Sequence, residues 1–238
     1  MKKEFNPKWI KIGAAALIIV GLGGYWEWNQ LRLSEPGTID PSELTLVTTV
    51  DRGMEPDVRA TFEERLAVQK QLVEDNEANG TRDLTAILVL GNMYYGLGEL
   101  DTAANWYRDI LRTNPNDPPA LENLGQAQLE MGDYAGAEAS WRAAVNISAY
   151  EVTYLKLADL IDEHFKERTA EVQMILETAI GNIGQTTGLL TRLGRWYASQ
   201  GMYEEAISHY QVASVLDPND ESIKETLMEL KEKRKNDK

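Results

Sequence analysis

The sequence predicts an all-α solenoid of about four helix–turn–helix repeats with a capping helix at each end, behind a single N-terminal transmembrane helix. Three observations predict it. A charge-free apolar run with aromatic edges lies near the N-terminus. A proline-containing stretch separates that run from the rest of the chain. The remainder repeats itself, with glycine, alanine and aromatic residues returning at fixed offsets.

The apolar run covers residues 12–26, IGAAALIIVGLGGYW. As a helix it spans roughly 22 Å, short of a hydrocarbon core of about 30 Å. Trp9 before it, and Tyr25, Trp26 and Trp28 at its end, extend it with the aromatic belt that membrane interfaces favour. Lys11 reaches outward while its methylenes stay in lipid. Residues 9–28 therefore read as one spanning helix, and residues 1–33 as a cytoplasmic start plus anchor. Lys2, Lys3, Lys8 and Lys11 stand against Glu4 before the helix, so the N-terminus is expected in the cytoplasm and the C-terminal domain in the periplasm or outside the cell. The rival is a cleaved signal peptide, with Gly21, Gly23 and Gly24 near the cut. Aromatic clustering serves an anchor and not a cleavage site.

Residues 34–56 hold Pro36, Pro41 and Pro56 with Gly37 and Gly53, and read as an extended linker. Its inset LTLVTTV, residues 44–50, is β-prone but buries too little alone, so it is expected to dock weakly or to be ordered by a partner. Residues 57–83 are the N-terminal capping helix, with Val58, Phe62, Leu66 and Val73 at helical spacing.

The repeats come next. Leu90-Gly91 is followed by Gly98, Ala103, Tyr107 and Pro115; Leu124-Gly125 by Gly132, Ala137 and Trp141; Leu193-Gly194 by Gly201, Ala206, Tyr210 and Pro218, all at the same offsets. Small residues fall where two helices cross, and the aromatic fills the space beyond. Glycine ends the first helix in a tight turn, and proline stops the second. The frames are 84–117, 118–150 and 187–220. The interval between the last two leaves room for a degenerate repeat at 151–186, in which Leu157-Ala158 replaces Leu-Gly, Leu176 and Ala179 fill the second helix, and the turn at 163–170 is longer and lacks glycine. Residues 221–238 supply a C-terminal capping helix and tail, with Ile223, Leu227 and Leu230 as its apolar stripe.

This pattern resembles the tetratricopeptide repeat family over residues 84–235. The resemblance implies a groove lined by first helices that binds a protein or an extended peptide. Carried over by position, the candidate groove residues are Asn92 and Tyr95 in the first repeat, Asn123 and Gln126 in the second, Lys156 in the third, and Arg192 and Arg195 in the fourth. Asn92 and Asn123 match the two asparagines of the clamp with which one subgroup grips chaperone C-termini. Leu88 and Val152 stand where that clamp has lysines, so the clamp is rejected. Two readings stay open for the asparagines: hydrogen bonding to an extended backbone, or plain solvation on a helix face. For Arg192 and Arg195 the alternatives are an acidic partner segment, or salt bridges to the neighbouring Asp159, Asp162 and Glu163. Tyr95 reads as a groove anchor beside a core Tyr94.

Composition narrows the function. A net charge of -14 without a basic block argues against nucleic acid. Absence of cysteine excludes disulfides and thiolate chemistry. Only His164 and His209 are present, on different repeats, and no P-loop, HExxH, GxSxG or EF-hand pattern occurs, so no enzyme activity, metal or cofactor is expected. Asn79 and Asn146 stand in glycosylation sequons, a short motif that recurs by chance. The expected function is a membrane-anchored interaction module, an adaptor or scaffold with a chaperone-like possibility, on the extracytoplasmic side of a cell envelope. The alternatives are a structural subunit of an oligomeric or filamentous envelope assembly, and a cytosol-facing receptor of an organelle membrane.

Overall fold

The computed structural model describes residues 46–236. The anchor predicted at residues 9–28 lies outside the described residues. Among the described residues no helix is long and apolar enough to cross a membrane.

The described chain is ten α-helices in antiparallel hairpins. α1 (Pro56–Ala78) precedes four hairpins: α2 (Leu84–Leu97) with α3 (Leu100–Thr113), α4 (Pro118–Met131) with α5 (Tyr134–Ile147), α6 (Glu151–His164) with α7 (Ala170–Ile183), and α8 (Thr187–Ser199) with α9 (Tyr203–Leu216). α10 (Glu221–Asn236) ends the array. Each helix packs on the next in sequence, and the first helices also meet directly, α2 on α4 and α6 on α8. This one-dimensional stacking is what a repeat sequence produces when no single hairpin can bury its apolar face alone.

Local chemistry sets the helix ends. Asp83, Asp117, Asp133 and Thr186 cap α2, α4, α5 and α8 by accepting from main-chain N–H groups of the first turn. Gly98 and Gly132 close α2 and α4 in the left-handed region, at φ 85° and 80°, a conformation that costs a residue with a Cβ. The third hairpin has no such glycine. There the chain leaves α6 at Phe165 and makes a short 3-10 turn, Lys166–Arg168, before α7.

The helix crossings are close where the sequence is small. A Cβ on Gly91 would lie 2.7 Å from the Tyr107 ring, and one on Gly194 would lie 2.8 Å from Tyr210. Leu90, Tyr107, Trp141, Leu157, Leu176 and Leu193 are all buried, and the core is a series of four apolar clusters spaced along the array between the two helix layers. At the ends, α1 seats Val73 and α10 seats Ile223 and Leu230. Val58, at the start of the predicted α1 stripe, is exposed instead; it lies in the first turn, whereas the packing contact falls further along at Leu66 and Val73.

Residues 46–50 are extended and lie against the first two hairpins. Val47 N–H donates to Met131 C=O at 3.0 Å, Val50 N–H to Gly98 C=O at 2.9 Å, and Asp101 N–H to Thr48 C=O at 3.2 Å. Thr49 pairs antiparallel with Glu99. Leu46 and Val50 pack on the cluster of Leu100, Ala103, Tyr107, Leu124 and Met131. The β-prone inset therefore borrows its missing strand partner from the turn after α2.

Candidate functional site

The first helices share one face, and the ninth position of each repeat there meets the sixth position of the next. Asn123 Nδ2 donates to Asn92 Oδ1 at 2.8 Å. Lys156 Nζ donates to Gln126 Oε1 at 2.7 Å. Arg192 Nε donates to Asp159 Oδ1 at 2.6 Å. The three junctions between four repeats thus carry one polar rung each, in the same register. The last ninth-position residue, Arg195, is exposed and has no carboxylate partner among the described residues.

Each rung is braced. Asn92 Oδ1 also accepts from Tyr107 Oη at 2.9 Å, which ties the first rung to the aromatic between α2 and α3. Lys156 sits 5.7 Å from the Trp141 ring centroid, a cation–π distance, and Trp141 Nε1 donates to Glu122 C=O at 3.1 Å. Burial holds the Lys156 ammonium below the usual lysine range, against the pull of Glu122 and Glu130. Arg192 is buried and also reaches Asp162 at 2.8 Å, while its Nη1 has no partner among the described residues. It thus makes the salt bridges that the sequence offered as one of two alternatives.

Tyr95 is half-buried near the end of α2, among chain-internal partners. Its hydroxyl donates to Glu130 Oε1. Arg52 lies over its ring at 4.8 Å, donates to its carbonyl at 3.2 Å and pairs with Glu130 at 2.9 Å. Burial first, and then the bond to Glu130, push the Tyr95 phenol up to about 12. Tyr94 packs partly buried against two core clusters. The structure therefore aligns Asn92, Asn123, Gln126, Lys156 and Arg192 in one ladder, leaves Arg195 at its open end, and places Tyr95 beneath the extended segment. Sequence reasoning missed Arg52. The signal available was a lone arginine two residues beyond a β-prone run, which carries no register information without its partner.

A second polar cluster ties α5 to the 3-10 turn and α7. Arg142 and Arg168 each bridge Glu138 and Glu171, at 2.5 to 2.8 Å. Arg168 also lies over the Phe165 ring at 4.9 Å. Burial alone would raise the Glu138 carboxyl; the bonds from Arg168 and the Arg142 charge outweigh it and hold the group below its ordinary value. The longer turn of the third repeat supplies Arg168 to this cluster. His164 stacks on Tyr134 with ring centroids 3.7 Å apart, and His209 on Tyr197 at 5.3 Å. Among the described residues no three His, Asp or Glu side chains converge as a metal site.

Comparison with known proteins bears on the fold. Models of the TPR repeat match residues 91–132, and models of the tetratricopeptide repeat match 118–150 and 189–222. The bovine (Bos taurus) BBSome complex member BBS4 is 25% identical over 122 residues, 51% of this chain and 23% of that protein. Mouse (Mus musculus) tetratricopeptide repeat protein 21A is 31% identical over 84 residues, 35% of this chain and 6% of that protein. The chain thus spans less than a quarter of either curated relative. Among solved structures, that of MamA aligns with a TM-score of 0.57 at 17% identity, covering 73% of this chain and 98% of that one. That of YrrB, described as a TPR protein with an unusual peptide-binding site, aligns at 0.53 and 17% identity, covering 71% and 84%. These two likenesses are of fold. With the hairpin geometry and the three repeat matches in agreement, the chain carries tetratricopeptide repeats stacked as an all-α solenoid.

Proposed function

We propose that this chain is a membrane-anchored, non-catalytic adaptor whose first-helix face holds an extended polypeptide on the extracytoplasmic side of a cell envelope. Tetratricopeptide repeats serve as protein–protein interaction modules, and a solved relative in fold is described by its peptide-binding site. The observation that carries the reading is the ladder itself. Asn92, Asn123, Gln126 and Lys156 present amide and ammonium groups in a fixed row, and Arg195 ends the row as an exposed guanidinium with no carboxylate beside it among the described residues. Such a row offers donors and acceptors to main-chain amides, and Arg195 selects for an acidic side chain or terminus. The anchor rests on the apolar, Trp-edged run at residues 9–28, and the orientation on the lysines that precede it.

The test uses the full chain in native membranes. A photo-crosslinking residue at Asn123 or at Arg195 should capture the same partner. R195E should reduce that capture at least tenfold while the helical content stays unchanged. Protease added to spheroplasts should reach the repeats. Crosslinks confined to residues outside the first helices would overturn the assignment of the face, and protection of the repeats would overturn the orientation.

A further inference from the structure

Residues 46–52 occupy the rim where the first repeat meets the second, and the manner of that occupancy is chemically general. The main chain is read on two sides, by Gly98 in the turn after α2 with Asp101 at the start of α3, and by Met131 at the end of α4. Only three side chains are anchored. Leu46 and Val50 enter the apolar cluster, and Arg52 reaches Glu130 and Tyr95. Val47, Thr48 and Thr49 between them are exposed. Backbone hydrogen bonds that serve any sequence, combined with a few spaced pockets, are how proteins recognise an extended peptide.

The corresponding rims elsewhere in the array are closed by side chains of the hairpins themselves. At the second junction the residues equivalent to Leu100 and Met131 are Tyr134 and His164, and they stack on each other. At the third junction Trp196 Nε1 donates to Thr169 C=O at 2.9 Å. At the last, the residues equivalent to Asp101 and Met131 are Glu204 and Arg234, paired at 2.9 Å. The first junction is closed only in part by its own helices, where Tyr95 donates to Glu130, and a separate stretch of chain fills the rest of the rim.

We propose that this rim is a docking site for an extended polypeptide of a partner protein, one presenting two aliphatic residues four apart and an arginine two residues further on, and that residues 46–52 hold it in cis until such a partner displaces them. The carboxylate of Glu130, with the Tyr95 ring beside it, selects the arginine. The apolar cluster of Leu100, Leu124 and Met131 selects the aliphatic pair. The cis segment has the advantage of tethering, so a partner must add contacts of its own to win. The rim touches the ladder at one point, where Gln126 Nε2 donates to Glu130 Oε1 at 3.4 Å, but the proposal does not rest on the ladder being a binding face.

The test takes the purified full chain and a labelled peptide of residues 45–53, TLVTTVDRG, read by fluorescence anisotropy. The cis segment is disabled by V50D with R52E. The disabled chain should bind the peptide at least tenfold more tightly than the native chain, and a scrambled peptide should bind neither. Far-UV circular dichroism checks that the helices are intact, and R52E alone serves as a milder second variant. In the disabled background E130K should reverse the preference, binding a peptide with Arg52→Glu better than the native peptide. Equal binding to native and disabled chains, or binding to neither, overturns the proposal. Loss of peptide binding on R195E would move the site to the first-helix face and also overturn it. A concentration-dependent dimer of the native chain that V50D with R52E abolishes would make a second copy the occupant, against a partner protein.

Discussion

Asn123 donates its amide to Asn92 across the junction of the first two repeats, and the same two repeat positions meet at every later junction. The chemistry of the rung changes along the array from amide–amide to ammonium–amide to guanidinium–carboxylate, while its register does not. A rung fixes the azimuth of each first helix against the next, because a hydrogen bond is directional where apolar packing is not. The groups that a bound peptide would meet are thus already oriented by one another.

The last rung is electrostatically lopsided, and this yields the first prediction. The Arg192 side chain is 7% exposed, whereas Asp159 and Asp162 are 51% and 35% exposed. Removing both acids as D159N with D162N strands a buried guanidinium. Removing the cation as R192M leaves two acids that water reaches. A stranded buried charge destabilises by about 3–5 kcal/mol, whereas a part-exposed carboxylate left behind is far less affected. The double acid variant should therefore lose more stability in urea than R192M. The reverse order would mean that the packing of the Arg192 stem, not its charge, holds the junction.

Acid should weaken the second junction through Glu138. Its carboxyl is held below its ordinary value of 4.5 by the bonds from Arg168 and the charge of Arg142, which overcome the opposing effect of burial. A carboxylate with a depressed folded value stabilises the fold above its unfolded value, and that stabilisation is lost as pH falls through the folded value. The advantage of the native chain over E138Q should thus be full above about pH 5 and should shrink steadily below it. Urea midpoints of both chains between neutrality and about pH 3 measure it. A difference independent of pH would assign the role of Glu138 to shape alone.

The hairpins were legible in the sequence because their determinants are local. Gly125 and Trp141 lie within one repeat, and their spacing is repeated elsewhere in the chain, so offsets alone expose the crossing. The ladder was half legible. Position along a first helix placed Asn92, Asn123 and Lys156 on one face, but which residue meets which depends on the rise and rotation from one repeat to the next. The docking of residues 46–50 was least legible. Its hydrogen bonds are made by main chain to the ends of α2 and α4, and such groups leave no trace in residue identity. The turn at Lys166–Arg168 lacked the glycine that marks its counterparts, and its contribution, Arg168, pairs with charges from two other helices.

Close approach at Gly125 gives a prediction with an internal control. A Cβ there would lie 2.5 Å from Nε1 of Trp141, a fully buried ring that already donates to Glu122. G125A should destabilise by about 1–3 kcal/mol, as overpacking of a filled core does. Gly181, on α7, has nothing within 4 Å of the same virtual atom. G181A should instead stabilise by about 0.5–1 kcal/mol, the ordinary helix preference for alanine. Thermal midpoints moving in the same direction for both would contradict the packing account.

The third repeat carries the same relationship with its volume divided differently. Where the other repeats pair glycine with tyrosine or tryptophan, this one has Ala158 and Leu176, both fully buried. Summed across the contact, the first helix has gained a methyl group and the second has lost its ring. The single change L176Y would press a ring against the Ala158 methyl and should destabilise by about 1–3 kcal/mol. A158G alone should destabilise by about 0.5–1 kcal/mol through backbone entropy, with a small additional loss from the gap it opens. Together they rebuild the glycine–aromatic pair of the flanking repeats, so the double variant should be more stable than the two losses added would give. Residues in contact couple in this way, and a chemical-denaturation cycle of the four proteins measures the coupling directly. Strict additivity would show that the third hairpin crosses at a distance where the two positions no longer meet, and that its longer turn has changed the spacing of the helices.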